Sequence, residues 1–304
     1  MSMSSSSFSF EYYDYVPKVL KEYVKKGLGR GSFGKIKSDT CDFKFCFAAV
    51  DKKLHRLVGV IYGKVFYGGI RIKELVIDKA YRRNKLGAYL VKKALEFAKN
   101  KGVVLAFLET FSFQARAFYE KLGFTHEFDR VGFGPNGEIA YHYFRKDLSD
   151  NGSKNIYKIK EEEIRYITDN FELLFFDELD GKLTEFIVGV YCEYTKDVLG
   201  GWTGDIAPFA IVLKNGDKTV GFVFGQSFYG GLQIQEFVVN AKSLPAKSLL
   251  KEVVAYAKSN NFSLIFANTF HEKTKEFYEQ YGFAIQERAG YRGGKKMYYL
   301  TQML

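Results

Sequence analysis

One stretch of this chain is written twice. Val58–Asp78, VGVIYGKVFYGGIRIKELVID, returns 162 residues later as Val220–Asn240, VGFVFGQSFYGGLQIQEFVVN. Thr110–Phe124, TFSFQARAFYEKLGF, returns as Thr269–Phe283, TFHEKTKEFYEQYGF, but only 159 residues later. The repeat predicts two domains of one fold, 1–150 and 151–304, with a seam at the short polar stretch SDNGSKN, Ser149–Asn155. The three residues missing from the second copy fall just before a helix. There KAYRRNKLGAYLVKKALEFAKNKG of the first copy becomes AKSLPAKSLLKEVVAYAKSNN.

A hydrophobic content of 47% with 17% aromatics can fill two cores, and no apolar run approaches the ~20 residues of a membrane-crossing helix. The net charge of +10 is uneven: residues 1–150 carry 27 Lys and Arg against 16 Asp and Glu, the rest 18 against 19. Much of the surplus clusters at Lys79–Lys93, beside the loop that differs between the copies. A small polyphosphate accounts for this as well as a polynucleotide would. Three cysteines and four dispersed histidines show no metal-like spacing, so the sequence predicts no disulfide framework, no metal site and a reducing, cytoplasmic setting. The opening MSMSSSSFSF lacks the basic start and apolar core of a secretory signal and reads as a tail.

Along the first copy, Pro17–Lys26 has one short amphipathic helical pattern. Strands are predicted at Phe43–Val50, Leu57–Phe66 and Ile70–Ile77, joined by connections short enough for antiparallel hairpins. A helix follows at Leu86–Asn100, then a mostly apolar, hence central, strand at Val103–Thr110. A second helix, Phe113–Leu122, stops at Gly123, and a last hairpin turns at Gly134–Gly137.

The loop before the long helix is where chemistry enters. A helix N-terminus presents unpaired amide N–H groups and partial positive charge, a ready site for phosphate. In YRRNKLGAYL, Arg82, Arg83 and Lys85 add full charges, and Gly87 and Ala88 let the backbone come close. The second copy has a shorter loop, only Lys242, and Pro245, which removes a backbone donor from the first turn.

These residues resemble the GNAT superfamily of acyl-CoA-dependent N-acetyltransferases, whose signature is a strand followed by R/Q-x-x-G-x-G/A opening a helix. Arg82-Arg83-Asn84-Lys85-Leu86-Gly87-Ala88 follows the strand ELVID, with Lys85 in place of the first glycine, and FQARAFYEKLGF is similar to the family's A-x-x-F-Y-x-x-x-G-F. The resemblance covers about 40–148 and, without the loop, 205–304. It implies an α+β fold of two GNAT-like domains, each a mixed, mainly antiparallel twisted sheet with a central βαβ unit flanked by helices. It also implies acetyl-CoA as co-substrate, held by the seven loop residues, the backbone of Leu75, Val76 and Ile77, and Ser112, which stands where an asparagine is common.

An acceptor amine is protonated near neutral pH and must lose a proton before attacking a thioester. The resemblance points to Glu74 as the group that takes it, with Asp78 a second choice, and to Tyr119 as the acid that protonates the leaving thiolate. It also makes the Leu75–Ile77 amides oxyanion donors. No cysteine matches an acyl-enzyme position, so direct transfer in a ternary complex is expected. Glu236 and Tyr278 repeat both groups in the second copy, which reads as degenerate, kept for packing or substrate capture; the alternative is a second acyl-CoA site. Tyr12–Phe33 and Phe128–Tyr141, with Glu11, Asp14 and Asp129, would form the acceptor pocket. They suit a cationic amine on a small molecule or a protein. Two other classes stand beside the enzyme: a non-catalytic acyl-CoA-binding or protein-interaction module, and a nucleic-acid adaptor, for which no reading motif is present. Gly29-x-Gly31-x-x-Gly34 imitates a kinase glycine loop but lacks the H-R-D and D-F-G that would accompany it.

Overall fold

A computed structural model describes residues 8–28, 43–149, 158–199, 206–239 and 244–304. The glycine loop at 29–34, Lys242 and nearly all of the predicted seam lie outside them. The first half contributes β1 (Phe8–Tyr13), α1 (Lys18–Leu28), β2 (Phe43–Asp51), β3 (Arg56–Phe66), β4 (Gly69–Ile77), α2 (Leu86–Asn100), β5 (Leu105–Phe111), α3 (Arg116–Lys121), β6 (Thr125–Phe133) and β7 (Ile139–Asp147). The second contributes α4 (Glu161–Asn170), β8 (Phe171–Phe176), α5 (Gly181–Leu199), β9 (Pro208–Asn215), β10 (Lys218–Phe228), β11 (Gly231–Val239), α6 (Leu244–Ser259), β12 (Leu264–Thr269), α7 (Glu272–Glu279), β13 (Ala284–Arg288) and β14 (Met297–Met303).

Two seven-stranded mixed sheets result, ordered β8-β2-β3-β4-β5-β7-β6 and β1-β9-β10-β11-β12-β14-β13. In each, one parallel pair, β4 with β5 or β11 with β12, sits in an otherwise antiparallel ladder. The edge strands are exchanged. β1 runs antiparallel to β9, Phe8 opposite Asn215, and β8 runs antiparallel to β2, Phe171 opposite Asp51. The division at residue 150 read from the repeat is therefore not the division between the sheets. An open edge is satisfied by any strand whose backbone and apolar side chains fit. Phe8 and Phe10 pack into the second core and Phe171 into the first.

The same exchange relocates the first helix. Leu20 of α1 packs with Ala210, Val212, Phe222 and Phe224 of the second sheet. The corresponding face of the first sheet is covered by α5, whose Leu183 and Ile187 pack against Cys46, Ala48, Val60 and Val76. Tyr12–Leu28 thus do not flank the first sheet, which corrects the acceptor pocket expected from the resemblance.

Within each copy, a β-bulge explains one repeated glycine. Tyr62 pairs with Glu74 but Gly63 with Ile72, so Lys73 is an extra residue; Gln235 is its counterpart opposite Phe224 and Gly225. The bulge drives the Arg71 carbonyl to 2.1 Å from where a Cβ on Gly63 would lie, and the Gln233 carbonyl to 1.8 Å from that of Gly225, so neither position admits a side chain. It also shifts the alternation. Ile70 and Ile72 face the α2 core, and so do Leu75 and Ile77, while Val76 is turned toward α5.

The halves meet reciprocally. The β6–β7 hairpin reaches the β10–β11 turn, where Gly134 N–H donates to Tyr229 O at 2.9 Å and Ser263 Oγ donates to Gly132 O. Tyr291 in turn packs on Phe66, Leu105 and Phe107.

Candidate functional site

β4 and β5 are paired only from Gly69–Leu105 to Ile72–Leu108, and then diverge. A cleft of about 530 Å³ opens at the divergence. Asp78 N–H donates to Val58 O at 2.9 Å, and alternation along the ladder points the Val76 amide to β3 as well. The Leu75 and Ile77 amides are left facing the gap that β5 has vacated. Of the three oxyanion donors expected, geometry admits these two and not Val76.

At the phosphate end, α2 begins at Leu86, whose N–H is taken by Asn84 Oδ1 at 3.2 Å. Gly87 and Ala88 are the next two residues of the first turn and both line the cleft, with Arg82, Arg83, Lys85 and Lys121 around them. Arg82 is held in place: its Nε donates to Ile77 O at 3.0 Å and its guanidinium lies 5.5 Å from the Tyr194 ring centre. Arg83 and Lys85 both have φ of 69°. Lys85 therefore adopts the left-handed conformation that a glycine at its place in the motif would adopt freely, at a cost of about 1–2 kcal/mol. Its ammonium is 3.7 Å from Glu163 of α4.

Glu74 lies behind the cleft on the α5 side of β4, where Tyr191 Oη donates to Glu74 Oε2 at 2.9 Å. Burial raises the Glu74 pKa, and the bond from Tyr191 only partly offsets it. Tyr119 lines the cleft, and burial followed by the nearby Glu74 charge pushes its phenol up, so it stays protonated. Deeper in, Arg71 Nε donates to the buried Glu109 carboxylate at 2.9 Å.

The structure thus gathers Leu75, Val76, Ile77, Arg82, Arg83, Lys85, Gly87, Ala88 and Tyr119 around one cleft, with Glu74 beside it. Besides Glu74, three predicted residues do not line it. Asn84 caps the helix, Leu86 is core, and exposed Ser112 is tied to β7, its Oγ accepting from Ala140 N at 3.2 Å. Asp78 has a turn role: Oδ1 accepts from Ala80 N at 2.9 Å and Oδ2 pairs with Arg56 at 3.1 Å. Sequence reasoning missed Val190, Tyr191 and Tyr194 of α5, and Gln114, which accepts from Thr110 Oγ1 and Phe111 N–H. Helical spacing of apolar residues marks α5, but nothing in it says which sheet it covers.

In the second copy Glu236 is also raised by burial, and Tyr278 is wholly buried in the core. No side-chain hydrogen bond or ion pair reaches the Glu236 carboxylate among the described residues.

Residues 32–124 match the model of the acetyltransferase (GNAT) family. Among solved structures, the chain is similar to an acetyltransferase from Bacillus cereus ATCC 14579, at 25% identity over 43% of this chain and 94% of that one, with a TM-score of 0.39. It is also similar to an aminoglycoside 6'-N-acetyltransferase complexed with coenzyme A, at 18% identity over 46% and 97%, with a TM-score of 0.31. A third is Arabidopsis thaliana NAA60 in complex with a bisubstrate analogue, at 14% identity over 46% and 98%, with a TM-score of 0.32. No curated protein matches the sequence. No helix among the described residues is long and apolar enough to cross a membrane.

Proposed function

We propose that the protein transfers an acetyl group from acetyl-CoA directly to an amine, in the cleft between β4 and β5. The observation that carries this reading is the cleft itself. A basic helix N-terminus opens on one end of a gap between diverging strands, with a protonated phenol farther along it and the buried Glu74 carboxylate beside it. Arg82, Arg83, Lys85 and the Gly87 and Ala88 amides would hold the pyrophosphate. The Leu75 and Ile77 amides would hold the thioester arm and the developing oxyanion. Glu74, raised toward the operating pH by burial, takes a proton from the ammonium, directly or through water. The freed amine attacks the thioester carbon, and the C–N bond forms as the C–S bond breaks. Tyr119 protonates the thiolate and recovers its proton from the nitrogen through solvent. The products are an amide, CoA thiol and one proton.

Because Glu74 is on the α5 face, the acceptor reaches it from the α5 side, past Tyr191. The second half then supplies part of the acceptor side of a site whose cofactor side belongs to the first.

Glu74→Gln is predicted to lower the acetylation rate of an amine panel by about 10²–10⁴-fold while acetyl-CoA binding is retained. Thiol release without amine dependence, or full activity in Glu74→Gln, would contradict the assignment. Acetyl-CoA binding with no turnover of any amine would instead support a binding module.

A further inference from the structure

We propose that His126, Asp129 and His142 form a binding site for one divalent transition-metal ion, of the zinc type, that clips β6 to β7. Two of the four histidines in the chain converge here. His126 Nε2 and His142 Nδ1 each lie 2.6 Å from the same oxygen, Asp129 Oδ1, and the three candidate ligand atoms are all within 4.8 Å of one another. Two imidazoles and a carboxylate are a donor set suited to zinc and neighbouring borderline ions.

The backbone fixes the arrangement. Asp129 and His142 are directly paired across the β6–β7 ladder, and His126 pairs with Phe144 one step along the same face. The site therefore rests on hydrogen-bonded strands, which limits the ordering that binding must impose. His142 is nearly buried, with 9% of its side chain exposed, whereas His126 and Asp129 are 28% and 34% exposed. One ligand is anchored in the sheet, and the other two leave an entry path and room for water to complete the coordination.

Each ring directs one nitrogen at the carboxylate, and its other nitrogen makes no hydrogen bond among the described residues. A ring ligates the ion through the nitrogen that faces Asp129 when that nitrogen carries the lone pair and the ring N–H is on the other nitrogen. Ligands around a tetrahedral zinc stand about 3.3 Å apart, so the carboxylate must retreat by roughly 0.7 Å from each ring. Asp129 Oδ2 also makes no contact among the described residues, so the carboxylate can pivot.

The test is a titration of Zn²⁺ into the full chain against a chromophoric chelator, repeated with Co²⁺ read by its visible absorption. One ion per chain is expected. His142→Ala, His126→Ala and Asp129→Asn are each expected to weaken binding by at least about tenfold. The same titration on Cys192→Ser separates this site from the exposed thiol. Zn²⁺ should raise the thermal midpoint of the wild type and not that of the three variants. Absence of stoichiometric binding to the wild type would overturn the proposal even if the variants fold poorly. So would binding that survives the three substitutions or is lost in Cys192→Ser.

Discussion

The carboxyl of Glu74 is poised by two opposing effects, burial that raises its pKa and the 2.9 Å bond from Tyr191 that lowers it. A base with a raised pKa is active above that pKa, so the rate should climb as pH rises through it. Tyr191→Phe removes a bond made to the charged form. The rising limb of the pH–rate profile should then move to higher pH by about one unit, as the loss of a hydrogen bond to a charged group implies. A profile that does not move, or moves to lower pH, would show that Tyr191 does not position this base. The raised pKa also bears on stability. A group whose folded pKa lies above its unfolded value favours the fold while protonated and loses that contribution as pH rises through the folded pKa. Glu74→Gln should therefore be no less stable than the wild type at neutral pH.

At the scale of elements, the exchanged strand β8 seals the β2 edge from Cys46–Phe176 to Asp51–Phe171, and α5 covers the face that holds Glu74. A fragment of residues 1–150 lacks both, exposing an apolar edge and the Cys46, Ala48, Val60 and Val76 surface. It should aggregate or fail to unfold cooperatively in circular dichroism. A soluble, cooperatively folding fragment that binds acetyl-CoA would refute the dependence. The exchange also marks where sequence reading stopped. α2 was legible to the residue, Leu86–Asn100, because its apolar periodicity and basic N-terminus are local. The strands β2, β3 and β4 were legible within two residues because hairpin connections are local too. Phe8–Phe10 of β1 were read as tail, and the sheet that α1 and α5 cover was not legible, because edge pairing depends on backbone groups that every residue carries. Ser112 resembled a ligand by position in the motif, yet its hydroxyl is engaged by Ala140, a partner 28 residues away.

In the whole molecule, the two sheets are joined by buried polar contacts as well as by aromatic packing. Arg288 of β13 has no side-chain exposure; its Nε donates to Glu127 Oε2 at 2.5 Å and its guanidinium lies 4.8 Å from the Phe107 ring centre. From the other side, Arg130 donates to Thr301 Oγ1 at 2.8 Å and to Asn268 Oδ1 at 3.3 Å. Arg288→Met would leave the Glu127 carboxylate only Arg145, 3.6 Å away, and should cost about 1.5–3 kcal/mol in urea unfolding. A loss under about 1 kcal/mol would mean that the halves do not depend on this pair. The central claim is that one cleft, on the first sheet, holds acetyl-CoA through the loop before α2. Calorimetric titration of acetyl-CoA into the full chain and into Arg82→Ala/Arg83→Ala tests it most directly. The account predicts one site in the wild type and its loss in the double variant. No binding to the wild type, two sites, or a site that survives both substitutions would contradict it.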